Sequence, residues 1–175
     1  MRLFFALWPP QNAARALHEW ARQASLRTRG RVTRAETIHL TLAFMGEVEA
    51  SRIESLLNSA RATVGEAHSL PIEQARYWKH NRIVWVGPNE TPAPLAALAA
   101  DLKSVLMGNG FELEQRAFAA HVTLIRKARE PRALPDLPAL AWPVEEFVLV
   151  RSQLSSEGSS EGSSYEVLER FALAR

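Results

Sequence analysis

HLTLAF, His39–Phe44, alternates as a half-buried β-strand does, except that two positions of one face carry an imidazole and a hydroxyl. Successive strand side chains point to opposite faces, so His39 and Thr41 share one face and Leu40 and Leu42 the other. HVTLIR, His121–Arg126, repeats the order, with His121 and Thr123 on one face. One such strand is ordinary, because threonine is a good strand former and a half-buried histidine is usually structural. Two copies, close to half the chain apart, hint at an internal duplication and at a polar face with a purpose.

Around these two strands the pattern reads as α+β. LFFAL (3–7) is a buried strand stopped by Pro9 and Pro10, and 11–26 is a helix with Ala14, Leu17, Trp20, Ala21 and Ala24 on one face. Residues 27–34 form a polar connection into the His39 strand. Ser51 can cap a helix over 52–64, and strands follow at 72–78 and 82–87, joined by a turn at 79–81. Residues 92–110 are the clearest helix, with prolines at the start and glycines past the end. After the His121 strand comes an irregular Pro-rich crossing, 131–143, then strands at 144–154 and 165–173. Between these, Ser155–Ser164 reads as a solvated Gly/Ser/Glu hairpin loop. Paired strands with single helices between the pairs imply mostly antiparallel sheets.

Composition narrows the chemistry. The 175 residues are 47% hydrophobic and 23% charged, with 21 Lys+Arg against 19 Asp+Glu, so net charge does not argue for a polyanionic partner. With no cysteine, disulfides, thiolate metal sites and cysteine nucleophiles are excluded. No stretch has the length of a membrane span, and a soluble, intracellular protein is expected. A zinc site would need a third ligand that neither histidine's strand face supplies. No G-x-S-x-G announces a serine nucleophile. His18, His68 and His80 lack the H-x-T context and are read as structural or solvated.

Acid–base chemistry fits two imidazoles better. Histidine's ordinary pKa of about 6.5 lets it give or take a proton near neutrality. In-line displacement at phosphorus needs a base for the entering group and an acid on the opposite side for the leaving oxygen. Two threonine hydroxyls can donate to the two non-bridging oxygens.

TIHLTLAFMGEV (37–48) and AHVTLIRKA (120–128), with RLFFALWPP (2–10) before and YEVLERFAL (165–173) after, closely resemble the two-histidine phosphoesterases. The bacterial and archaeal RNA 2′,3′-cyclic phosphodiesterases, also called 2′-5′ RNA ligases, are the most similar branch. Ala120 stands where that family often has proline. The resemblance covers essentially the whole chain and implies one bilobal domain over 1–175, with duplicated lobes of mostly antiparallel sheet, flanking helices and a central cleft. It also implies metal-independent hydrolysis of a 2′,3′-cyclic phosphate, on RNA ends or nucleotides, to a 2′-phosphate, with no cofactor. By that analogy His121 is the base for water, His39 the acid toward O3′, and Thr41, Thr123 and Arg126 hold the phosphate. A regular strand would turn Arg126 away from His121, so its part requires a twist, bulge or strand end.

Arg27, Arg29, Arg31 and Arg34 lie in an acid-free segment before the His39 strand and are candidates for RNA phosphates. Phe4 or Phe5 is a candidate to stack on a terminal base, as a first-strand aromatic does in relatives. Tyr165 and Trp8 are weaker candidates, for which core packing is preferred. A cytoplasmic monomer is expected. The rival readings are reversible 2′-5′ RNA ligation in the same site and a non-catalytic RNA-binding module.

Overall fold

The computed structural model describes residues 1–154 and 162–175; the expected loop at Ser155–Ser164 falls, over residues 155–161, outside them. In chain order the elements are β1 (Arg2–Leu7), α1 (Gln11–Thr28), β2 (Arg31–Val32), β3 (Leu40–Glu47), α2 (Ile53–Ala62), β4 (His68–Ser69), β5 (Gln74–Trp78), β6 (Ile83–Gly87), α3 (Ala93–Gly108), β7 (Val122–Arg126), β8 (Pro143–Val144), β9 (Glu146–Gln153) and β10 (Ser164–Ala172).

Three α-helices and antiparallel sheets among the described residues make this an α+β fold. One four-stranded sheet runs β10-β9-β1-β3 and the other β2-β7-β6-β5; a short pair, β4-β8, stands apart. Every ladder between these strands is antiparallel. Each larger sheet holds one H-x-T strand, β3 in the first and β7 in the second. The duplication that the repeated motif hinted at is thus a pair of lobes.

The helices tie the lobes together. α1 leaves β1 of the first sheet yet packs on β2 and β7 of the second, while α3 leaves the second sheet and packs on β3 of the first. The stripe predicted for α1 is the buried one: Ala14, Leu17, Trp20, Ala21 and Ala24 all face inward. A hydrophobic core then runs through both lobes, from Leu3, Phe5 and Leu7 on β1 to Val84 and Val86 on β6 and Val122 and Leu124 on β7. The opposite face of β1 presents Phe4 and Ala6 to a smaller cluster with Val148 and Val150, bordered by Trp8, Tyr165 and Val167. Alternation along one strand therefore separates the main core from the face on which His39 lies.

One local expectation is corrected and one is extended. Ser51 does not cap α2: it sits inside a 3-10 turn, Ala50–Arg52, and α2 begins with no side-chain cap. The polar connection 27–34 contains a short strand as well. Arg31 and Val32 form β2 and pair with Arg126 and Ile125 at the margin of the second sheet. A two-residue strand carries too little pattern to be read from sequence; the exposed edge of β7 creates it.

Candidate active site

His39 and His121 each stand one residue before the first ladder residue of their strands, β3 and β7. The strand registers aim both at a cleft of about 650 Å³ between the lobes. Each ring is locked from behind in the same way. Nδ1 of His39 lies 2.7 Å from the Thr37 carbonyl, and Nδ1 of His121 lies 2.8 Å from the Ala119 carbonyl. A carbonyl only accepts, so Nδ1 carries the proton and donates. Nε2 is then a free lone pair when the ring is neutral and an N–H donor when it is charged. His68 makes the same bond, to Glu66, but lies outside the cleft. The lock orients an imidazole; the cleft gives it something to act on.

Aromatic rings surround His39. Trp8 stacks nearly parallel to it at 5.2 Å between centroids, Phe4 lies tilted at 4.9 Å, and Tyr165 meets it edge-on at 5.4 Å. His121 rests against Trp78 at 4.7 Å, with Trp85 edge-on at 6.3 Å. Removing water from a cationic ring disfavours it. Burial is the main reason that the His39 pKa is lowered from 6.5 to about 4; the Thr37 carbonyl opposes this, and Arg126 and His121 add to it. His121 is lowered in the same sense, first by burial and then by Arg126, against the Ala119 carbonyl. Both imidazoles of the free protein are therefore neutral at pH 7.

Arg126 reaches the cleft because β7 is irregular. Its ladder with β6 pairs Trp85 with Thr123 but Val84 with Ile125, which leaves Leu124 as an extra residue. Such a bulge reverses the parity of the residues beyond it. Leu124 and Ile125 are consequently both buried, and Arg126 lines the cleft with His121 and Thr123. The obstacle seen in a regular strand is removed by one residue of slip.

Four threonines line this space. Thr33 donates its hydroxyl proton to the Thr123 carbonyl and Thr37 to the Arg34 carbonyl. Among the described residues, the Thr41 and Thr123 hydroxyls make no hydrogen bond to protein, which leaves them as donors to a ligand. No group of three or more His, Asp or Glu able to hold a metal ion occurs among the described residues, and no helix of these residues is long and apolar enough to cross a membrane.

The remaining candidates divide. Arg31 and Arg34 line the cleft. Arg27 does not; it reaches the Ala133 carbonyl at 3.4 Å instead. Arg29 also stands outside the cleft, exposed. Phe5 is fully buried against Phe147 and Phe171, so the stacking expected of it is corrected: no face of its ring meets a ligand. Phe4 is 4% exposed and packs behind His39, which corrects its part from base platform to wall. Trp8 and Tyr165, for which the sequence favours core packing, border the smaller hydrophobic cluster and from there also touch His39. The available signal was the period of two along β1, which sets Phe4, Ala6 and Trp8 on one face. Trp78 and Trp85 carry no such signal, because nothing local ties them to a histidine some 40 residues on.

Two lobes that each turn a histidine and a free hydroxyl toward one arginine-bearing cleft define the architecture of the two-histidine phosphoesterases. The chain belongs to the LigT-like phosphoesterase family, whose sequence model matches it twice, over residues 7–85 and 86–159. The RNA 2′,3′-cyclic phosphodiesterase of Escherichia coli K12 is 33% identical over 99% of this chain and 97% of that protein. The protein of the same name from Thermus thermophilus is 31% identical over 99% and 90%. A crystal structure of E. coli LigT complexed with 3′-AMP matches with a TM-score of 0.86 at 31% identity, covering 99% of this chain and 98% of the other.

Proposed function

We propose that this protein hydrolyses the terminal 2′,3′-cyclic phosphate of RNA or nucleotides to a 2′-phosphate, by metal-independent acid–base catalysis. The observation that carries the reading is the pair of Nδ1-locked imidazoles directed into one cleft with Arg126. The activity named for the two relatives supports it, as does the 3′-AMP held by the solved one. A cleft of about 650 Å³ suits a nucleotide-sized ligand.

In this mechanism Nε2 of His121 takes a proton from water as its oxygen bonds to phosphorus. On the opposite side Nε2–H of His39 gives a proton to O3′ as the P–O3′ bond breaks, leaving the phosphate on O2′. Thr41 and Thr123 donate to the non-bridging oxygens, and Arg126 places a fixed positive charge beside the developing charge. Arg31 and Arg34 take the phosphates that precede the terminal nucleotide. The catalytic unit is one bilobal domain over 1–175, acting as a cytoplasmic monomer without a membrane partner.

The test is incubation with an oligonucleotide ending in a 2′,3′-cyclic phosphate, in excess EDTA, beside His39→Ala and His121→Ala. A 2′-phosphate from the wild type alone is the expected result. Turnover that requires added zinc would replace the metal-free mechanism, and binding without turnover would make the protein a binding module.

A further inference from the structure

Three acid-free segments meet beside the cleft: Arg27–Arg34, Lys79–Arg82 and Arg126–Arg129. Their backbones are hydrogen-bonded or packed together. Arg129 N–H donates to the Thr28 carbonyl at 2.6 Å and Ala128 N–H to the Arg82 carbonyl at 2.9 Å. Gly30 lies so close that a Cβ there would fall 2.5 Å from the Arg126 carbonyl oxygen.

Within this cluster the backbone conformation is unusual. Arg29, Arg82 and Lys127 have φ of 56°, 56° and 54°, and among the described residues they are the non-glycine positions with positive φ. Positive φ is sparsely occupied by residues with a Cβ, and such positions gather where function retains them. Glycine is the residue that such conformations favour. At all three sites the chain instead carries a long cation.

The charges add a second observation. Arg31 is directly opposite Arg126 in the β2–β7 ladder, a like-charge pair that is unfavourable unless an anion lies between. Arg29, Arg31, Arg126, Lys127 and Arg129 are all exposed. None forms an ion pair with a carboxylate among the described residues, whereas Arg61, Arg151 and Arg170 elsewhere each do. Glu130, the nearest acid in sequence, pairs with none of them either. Arg82 is engaged differently, donating to the carbonyls of Ala128 and Lys127, so it braces the ledge.

We propose that Arg29, Lys127 and Arg129 form a phosphate-binding ledge for the RNA strand 5′ to the cyclic phosphate, continuous with the catalytic cleft through Arg31 and Arg126. The inference rests on the phosphodiesterase reading and extends it: the preferred substrate is an oligonucleotide, not a mononucleotide. A single strand fits because its charges recur along a flexible backbone and can follow cations leading out of the cleft.

The test compares kcat/KM for adenosine 2′,3′-cyclic phosphate and for a decamer with the same end, in wild type and in Arg29→Gly/Lys127→Gly/Arg129→Ala. Glycine suits the first two positions, so the thermal midpoint of this variant is expected to hold or rise. The wild type should favour the decamer by about tenfold or more. The variant should lose that preference with unchanged mononucleotide turnover, and its log–log salt slope on the decamer should flatten by about 2 for three lost contacts on a single strand. Equal losses on both substrates, or a wild type indifferent to length, would overturn the ledge. A wild type that turns over neither substrate would overturn the phosphodiesterase reading and the ledge with it.

Discussion

The proton held by His39 decides how the site works, and its behaviour follows from its surroundings. In the free protein burial beside Trp8, Phe4 and Tyr165 lowers its pKa from 6.5 to about 4. At pH 7 about one molecule in a thousand then carries the charged ring. A general acid so rarely loaded is of little use until the substrate's own charge restores the proton. Returning the pKa to 6.5 requires about 3.5 kcal/mol, at about 1.4 kcal/mol per pH unit. An anion about 4 Å from the ring, at an effective dielectric constant near 20, supplies about 4 kcal/mol, so one phosphate is sufficient. The sign follows by linkage: a group whose pKa rises on binding takes up a proton, and the anion binds more tightly as pH falls through that range. Histidine resonances titrated by NMR, assigned with His121→Asn, should show His39 with a midpoint near 4 alone. Saturation with inorganic phosphate should move it up by more than one unit, and phosphate affinity should strengthen from pH 7 to pH 5. A free midpoint near 6.5, or one that phosphate leaves in place, would refute the account of an aromatic enclosure reloaded by its substrate.

Further expectations concern the same surroundings. Because both imidazoles titrate below 6.5 in the free protein, kcat/KM should be bell-shaped and fall about tenfold per pH unit on its alkaline limb; kcat, which reports the complex, should peak at higher pH. Arg126→Met should raise both histidine midpoints and lower kcat by roughly a hundredfold or more, since an electrostatic donor beside the reacting phosphate is lost; unchanged midpoints would show that its guanidinium faces elsewhere. Trp8→Leu should raise the His39 midpoint and shift the acid limb of kcat/KM upward while leaving the midpoint of His121 nearly alone, marking Trp8 as a positioning residue. Gly30→Ala should cost roughly 1–3 kcal/mol, because φ is +89° and the new Cβ would meet the Arg126 carbonyl. Urea denaturation measures that loss, and activity should fall with it as Arg126 is displaced.

The sequence by itself determined the α+β class, the β1 and α1 faces, and the two histidines with their threonines, because period-two and period-3.6 patterns are local properties of the chain. It also carried the family resemblance, whose motifs stand intact at His39–Thr41 and His121–Thr123. Only the tertiary structure decided which other groups join them. Arg126 enters the cleft through a bulge at Leu124 that β6 imposes, and β2 exists only because β7 offers it an edge. Trp8 and Tyr165 meet His39 across strands that are far apart in sequence. Phe4 and Phe5 are adjacent and chemically identical, yet one backs a histidine and the other fills the core, since neighbouring residues of a strand face opposite ways. Arg27, Arg29, Arg31 and Arg34 read as one charge run, but the turn at Arg29 and Gly30 sends them in different directions. Patterns repeat along the chain and are legible there; contacts depend on where distant segments meet, and for this protein packing settles that.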